Sequence, residues 1–98
     1  MTAETDFAAE AFVTEGGNAL ADGRDMDAEA SFRAALEVSP HFVPANYQLG
    51  MLHLERGRPA DGLPHLQRAA KGQPTASTLT SLGNCFEALG NYEQAILC

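Results

Sequence analysis

The chain copies itself every 34 residues, and no other feature limits its fold so tightly. Gly16 returns as Gly50 and Gly23 as Gly57, while Phe32 maps to Leu66, Ala35 to Ala69 and Pro40 to Pro74 at the same spacing. The next step is 33 residues, taking Gly50 to Gly83 and Gly57 to Gly90, with one residue lost between Pro74 and Gly83. A period of this length, with small, apolar and turn residues in one register, marks an array of stacked supersecondary units. Each unit cannot bury its apolar face alone and covers it with the next.

The repeated residues have physical roles. Gly16, Gly50 and Gly83 fall in the middle of helical patterns, where Gly costs about 1 kcal/mol relative to Ala; that cost is reasonable if a neighbouring backbone must pass close by. Gly23, Gly57 and Gly90 each end the first helix of a pair, where a left-handed cap favours a residue without Cβ. Pro40 and Pro74 end the second helix, since Pro cannot continue the ladder. Ala and Leu abound while Val, Ile and Thr are sparse, which favours helices over strands. Six helices are predicted, over about 9–22, 25–38, 43–56, 59–72, 76–89 and 92–98, with short connections that force antiparallel neighbours.

This pattern resembles the tetratricopeptide repeat family, whose unit is a 34-residue helix–turn–helix. The first unit matches at Phe12, Gly16, Gly23, Ala28, Phe32, Ala35 and Pro40. The second matches at Leu49, Gly50, Gly57, Ala69 and Pro74, and the third at Leu82, Gly83, Phe86, Gly90, Tyr92, Ala95 and Ile96. The resemblance implies an all-α solenoid of antiparallel hairpins wound into a right-handed superhelix. Residues 1–8 are then a flexible N-terminal segment and 9–98 the array, with repeats over about 9–42, 43–75 and, in part, 76–98. Glu15 and Asn46 depart from the family pattern, and Gly62 stands where Ala is usual. Pro64 is expected to kink the fourth helix or delay its start, making the second hairpin the candidate for the least stable unit. The third unit breaks off before a full repeat closes, so a longer native chain is expected; self-association through that end is the alternative.

Composition excludes several roles. Ninety-eight residues suit one small domain, and 45% apolar with 19% charged residues is globular rather than disordered. Thirteen acidic against six basic side chains give a net charge of −7, which repels a phosphate backbone and an anionic membrane surface. Neither nucleic acid nor membrane is expected as a partner. The N-terminus lacks the basic-then-apolar pattern of a secretory signal, and Cys85 and Cys98 form no disulfide framework. The expectation is a reduced, cytoplasmic protein.

In the resembled family the first helix of each pair lines a concave groove. Carried over by position, the groove face holds Glu10, Val13, Gly17, Leu20 and Ala21 from the first unit. The second offers Pro44, Tyr47, Met51, Leu54 and Glu55, and the third Ser77, Thr80, Asn84, Glu87 and Ala88. The partner-binding residues expected from these are Val13, Leu20, Tyr47, Met51, Leu54, Glu55, Thr80, Asn84 and Glu87. Tyr anchors interfaces and Met adapts to varied partners, so the expectation is a scaffold that holds a protein or peptide segment. Family members that grip a chaperone's C-terminal carboxylate do so with cationic side chains. Val13, Gly17, Gln48, Ser77 and Ser81 occupy those positions here, so that function is not expected. The alternative is an accessory region of a larger enzyme. Bacterial members, among which this chain is expected to fall, are often fused to glycosyltransferase or sulfotransferase domains.

Chemistry within these residues is not expected. His41, His53 and His65 are 12 apart, not the three or four that put two metal ligands on one helix face. Asp22, Asp25, Asp27 and Glu29 make an acidic turn that lacks the Gly and Glu of a calcium loop; the charges suit the N-terminus of the second helix. Cys85 sits between core positions and reads as a small buried thiol. No nucleophile elbow, phosphate-binding loop or dinucleotide fingerprint is present. No catalytic residue, metal or cofactor is expected.

Overall fold

The computed structural model has five helices: α1 (Ala3–Ala21), α2 (Asp25–Val38), α3 (Val43–Glu55), α4 (Pro59–Gly72) and α5 (Ala76–Leu97). It describes the backbone of residues 3–97 and the side chains of residues 5–90. The expectations placed on Tyr92, Ala95, Ile96 and Cys98 lie outside the described side chains. Successive helices pack on one another, and α1 and α5 each also touch α3. No contact joins α2 to α4 or the first hairpin to α5 among the described residues. Neighbour-only packing of this kind is the signature of a solenoid, and the extents of 49 × 28 × 21 Å fit an elongated stack.

Two identical turns set the hairpins. After α1, the Gly23 N–H donates to the Leu20 carbonyl at 3.0 Å and the Arg24 N–H to Ala19 at 2.8 Å. After α3, Gly57 donates to Leu54 at 3.1 Å and Arg58 to His53 at 2.8 Å. Both are Schellman caps, which satisfy the orphan carbonyls of a helix end through a left-handed residue. Gly23 and Gly57 supply it, with φ of 77° and 75°.

The mid-helix glycines are sockets. A Cβ on Gly16 would lie 2.4 Å from Cε1 of Phe32, and one on Gly50 would lie 2.7 Å from Cγ of Leu66. The same contact thus recurs one repeat later. What enters first is a large side chain from the second helix; at Gly50 the neighbouring backbone that the sequence suggested comes close as well, with the Gly62 carbonyl oxygen 3.3 Å from such a Cβ. Backbone does approach at Gly62, where a Cβ would fall 2.7 Å from the Gly50 carbonyl oxygen. The departure from Ala at Gly62 lets α3 and α4 approach at this point. Phe32, Leu49 and Leu52 form the core with Ala19 and Ala28, and Val13, Leu20 and Leu36 pack against it.

Three expectations need correction. α1 begins at Ala3 rather than residue 9; Ala9 is buried and the Ser39 hydroxyl donates to Asp6 at 3.3 Å, so tertiary contacts extend the helix. Pro64 does not delay α4, which starts at Pro59 and runs through it. The expected break at Gly90 is absent, and α5 is one helix where two were predicted. A separate short helix after Gly90 would need its own nucleus, whereas extending α5 adds one hydrogen bond per residue. The start of α5 is set by a reciprocal cap: the Thr78 N–H donates to Oγ1 of Thr75 at 3.2 Å, and the Thr75 N–H to Oγ1 of Thr78 at 3.0 Å.

Gly17, one residue beyond the first socket, faces open space: a Cβ there would meet nothing within 4 Å. Gly16→Ala should therefore destabilise the fold by about 1–3 kcal/mol through overpacking, while Gly17→Ala should stabilise it by up to about 1 kcal/mol. Urea unfolding followed by circular dichroism measures both. Equal effects would show that helix propensity alone governs this turn of α1.

Candidate functional site

The first helices of the hairpins carry one sign of charge. None of α1, α3 and α5 contains a Lys or Arg. The six basic side chains are Arg33, Arg68 and Lys71 on second helices and Arg24, Arg56 and Arg58 in the turns between helices. Glu10, Glu55 and Glu87 stand exposed on α1, α3 and α5. The acidic turn is partly neutralised by Arg24, which reaches Asp22 at 3.3 Å and Asp27 at 3.2 Å.

α3 is two-faced. Asn46, Leu49, Gly50 and His53 are buried, while Tyr47, Met51 and Leu54, four and three residues apart on one stripe, are only half-buried. Glu55, Thr80, Asn84 and Glu87 are exposed. Val13 and Leu20 are half-buried and pack against the core of the first hairpin. Leu79 and Phe86 stand half-exposed on α5, with Gly83 between them; unlike Gly16 and Gly50, that glycine has no side chain seated on it among the described residues.

The buried face of α3 carries a polar network that sequence reasoning missed. Asn46 donates through Nδ2 to the carbonyls of Pro40 at 3.1 Å and Phe42 at 3.3 Å. Its Oδ1 is left as the acceptor for His65 Nδ1 at 3.1 Å, which places the His65 proton on Nδ1 in the neutral ring. The departure of Asn46 from the family's large aromatic is thereby explained: it ties the α2–α3 loop to α4. His53 and His65 stack with ring centroids 6.0 Å apart. The sequence allows this approach, since His53 and His65 fall on the two helices of one predicted hairpin. No group of three or more metal-ligating side chains occurs among the described residues.

Glu29 joins the two hairpins. It lies 3.1 Å from Arg58 and 3.9 Å from Arg56 in the α3–α4 turn, and 3.6 Å from Arg33 on its own helix. His53 Nδ1 is buried without a hydrogen bond, 3.9 Å from Glu29 Oε1. Burial, with Arg58 next, lowers the His53 pKa against an upward pull from Glu29. Burial, followed by the charges of His53, Arg68 and Arg33, lowers that of His65. Cys85 is buried as expected; its Sγ donates to the Pro59 carbonyl at 3.1 Å, and burial pushes the thiol pKa up.

The hairpins, caps and sockets define a helical-repeat protein, and comparison with known sequences agrees. The tetratricopeptide repeat profile matches residues 13–77 and again 47–97, and the chain belongs to that family. It is 33% identical over 87 residues to anaphase-promoting complex subunit 3 of Schizosaccharomyces pombe. The match covers 88% of this chain and 13% of that relative. No solved structure matches. Family and relative together support a protein–protein interaction scaffold in general terms.

The buried His53 and the half-buried His65 give the fold a pH dependence. Each has a lowered pKa in the folded state, so the unfolded chain, titrating near about 6.5, takes up protons first. Their contribution to stability is complete above that value and is lost as pH falls below it. The melting temperature should drop between about pH 7 and pH 5, and a His53→Gln, His65→Gln variant should show a shallower drop. An equal slope in the variant would assign the acid sensitivity to carboxylates instead.

Proposed function

We propose that this chain holds a peptide or protein segment on the face formed by α1, α3 and α5. The half-exposed stripe of Tyr47, Met51 and Leu54 carries the proposal, because Ala45, Leu49 and Leu52 of α3 are used in the core while this stripe is not fully buried there. An aromatic ring and a flexible thioether supply apolar anchorage with little commitment to one partner shape. Glu55 beside the stripe and Glu87 on α5 attract a partner with Lys or Arg flanking its apolar residues, and no Lys or Arg on α1, α3 or α5 competes with them. Thr80 and Asn84 add hydrogen-bonding capacity from α5, and Val13 and Leu20 continue the face on α1.

Membership of a family of interaction repeats supports this reading. So does the relative, which is by its name a subunit of a multiprotein complex. Selection of peptides from a random library on the immobilised full chain should enrich sequences pairing apolar anchors with basic residues. Tyr47→Ala with Leu54→Ala should weaken the selected peptides by about 2 kcal/mol or more with helicity unchanged by circular dichroism. Glu55→Gln with Glu87→Gln should lower the salt dependence of binding. Full binding by a folded Tyr47→Ala, Leu54→Ala protein would move the site off this face.

A further inference from the structure

The second helices, α2 and α4, do not touch, and a cleft of about 310 Å³ opens between them. Its volume is at the lower end of small-ligand sites, which run from about 300 to 1,000 Å³. The two walls differ from the rest of this acidic protein. Arg33 projects from α2 and Arg68 from α4, with His65 beside Arg68 and Glu37 as the single carboxylate at the rim. The apolar surface comes from Leu36 and Pro40, with the fully buried Leu49 beneath them.

The cations of the cleft are incompletely used. Arg68 has no carboxylate within ion-pair distance among the described residues. Arg33 meets Glu29 at 3.6 Å, longer than a hydrogen bond, and no other carboxylate lies within ion-pair distance of it among the described residues. Two guanidinium groups against Glu37, with His65 neutral, leave a positive cleft in a chain of net charge −7. The planar fork of Arg matches a carboxylate in two-point hydrogen bonding, and one excess positive charge suits a monoanion better than a dianion. We propose that the cleft between α2 and α4 binds a small carboxylate with an apolar body. Its charged end is held by Arg33 and Arg68, and its body rests on Leu36 and Pro40. This site is separate from the α1–α3–α5 face and uses none of its residues.

His65 reports occupancy directly. Arg68 and Arg33 depress its pKa after burial and His53 have acted, so a carboxylate bound between them offsets that charge and raises it. The test titrates the His65 ring by NMR in the full chain with benzoate as probe, acetate as the anion without a body and benzyl alcohol as the body without charge. The expected result is a higher His65 midpoint with benzoate at millimolar concentration and a clearly weaker response to either control. Arg33→Gln and Arg68→Gln, both at exposed positions, should each weaken benzoate about tenfold, the loss expected for a hydrogen bond to a charged group, with the circular dichroism unchanged. No benzoate-induced change at His65 overturns the proposal. So does an equal response to benzyl alcohol, or a response that survives in the double Arg variant.

Discussion

The array is spaced by one contact, a large apolar side chain seated on a glycine. Phe32 against Gly16 and Leu66 against Gly50 draw the two helices of each hairpin closer than any residue with a Cβ would permit. Everything else follows from that approach. The Schellman turns at Gly23 and Gly57 reverse the chain where the two helices can meet, and the alanines at 28, 35 and 69 are buried because little room is left for more. A buried Phe or Leu contributes on the order of 1.5–3 kcal/mol, more than offsetting the roughly 1 kcal/mol that a mid-helix Gly costs.

The second hairpin solves the same problem with more polar material. Asn46 and His53 are buried where the first hairpin has Phe12 and Ala19, and the network through His65 satisfies Asn46 on both its donor and acceptor sides. The Glu29 cluster then links the hairpins through partly exposed ion pairs, each worth about 1 kcal/mol or less. It orients the α3–α4 turn against α2 more than it holds the stack together. Polar groups of this kind fix one arrangement among several that a purely apolar core would tolerate.

Much of the fold was legible in the sequence because its markers act locally. Gly, Pro and the apolar period placed α2, α3 and α4 to within a residue of where they lie. What local markers could not show were the effects of distant neighbours. The early start of α1 depends on Ala9 and Asp6 meeting the end of α2, thirty or so positions away in the chain. The Gly90 sequence carries the same turn signal as Gly23 and Gly57, yet α5 runs on unbroken, and among the described residues no side chain is seated on Gly83. Of the face assigned by position, the apolar stripe on α3 and the polar residues of α5 are accessible, while Val13 and Leu20 share their surface with the core. The Arg33–Arg68 cleft was illegible, since the two arginines are 35 residues apart and meet only through the geometry of stacking.

Neighbour-only packing also bears on how the chain acquires its structure. Nearly all of its stabilising contacts close short loops within a hairpin or between adjacent helices, and short loops cost little entropy to close. Such topologies fold quickly, in the microsecond-to-millisecond range of helical proteins of low contact order. The first hairpin, with its socket filled by the larger Phe32 and its core already shared with Leu49 and Leu52, is the natural nucleus onto which α3 and α4 zip. An arrangement of this sort lets the fold grow by one helix at a time, each new helix covering the apolar face left by the one before.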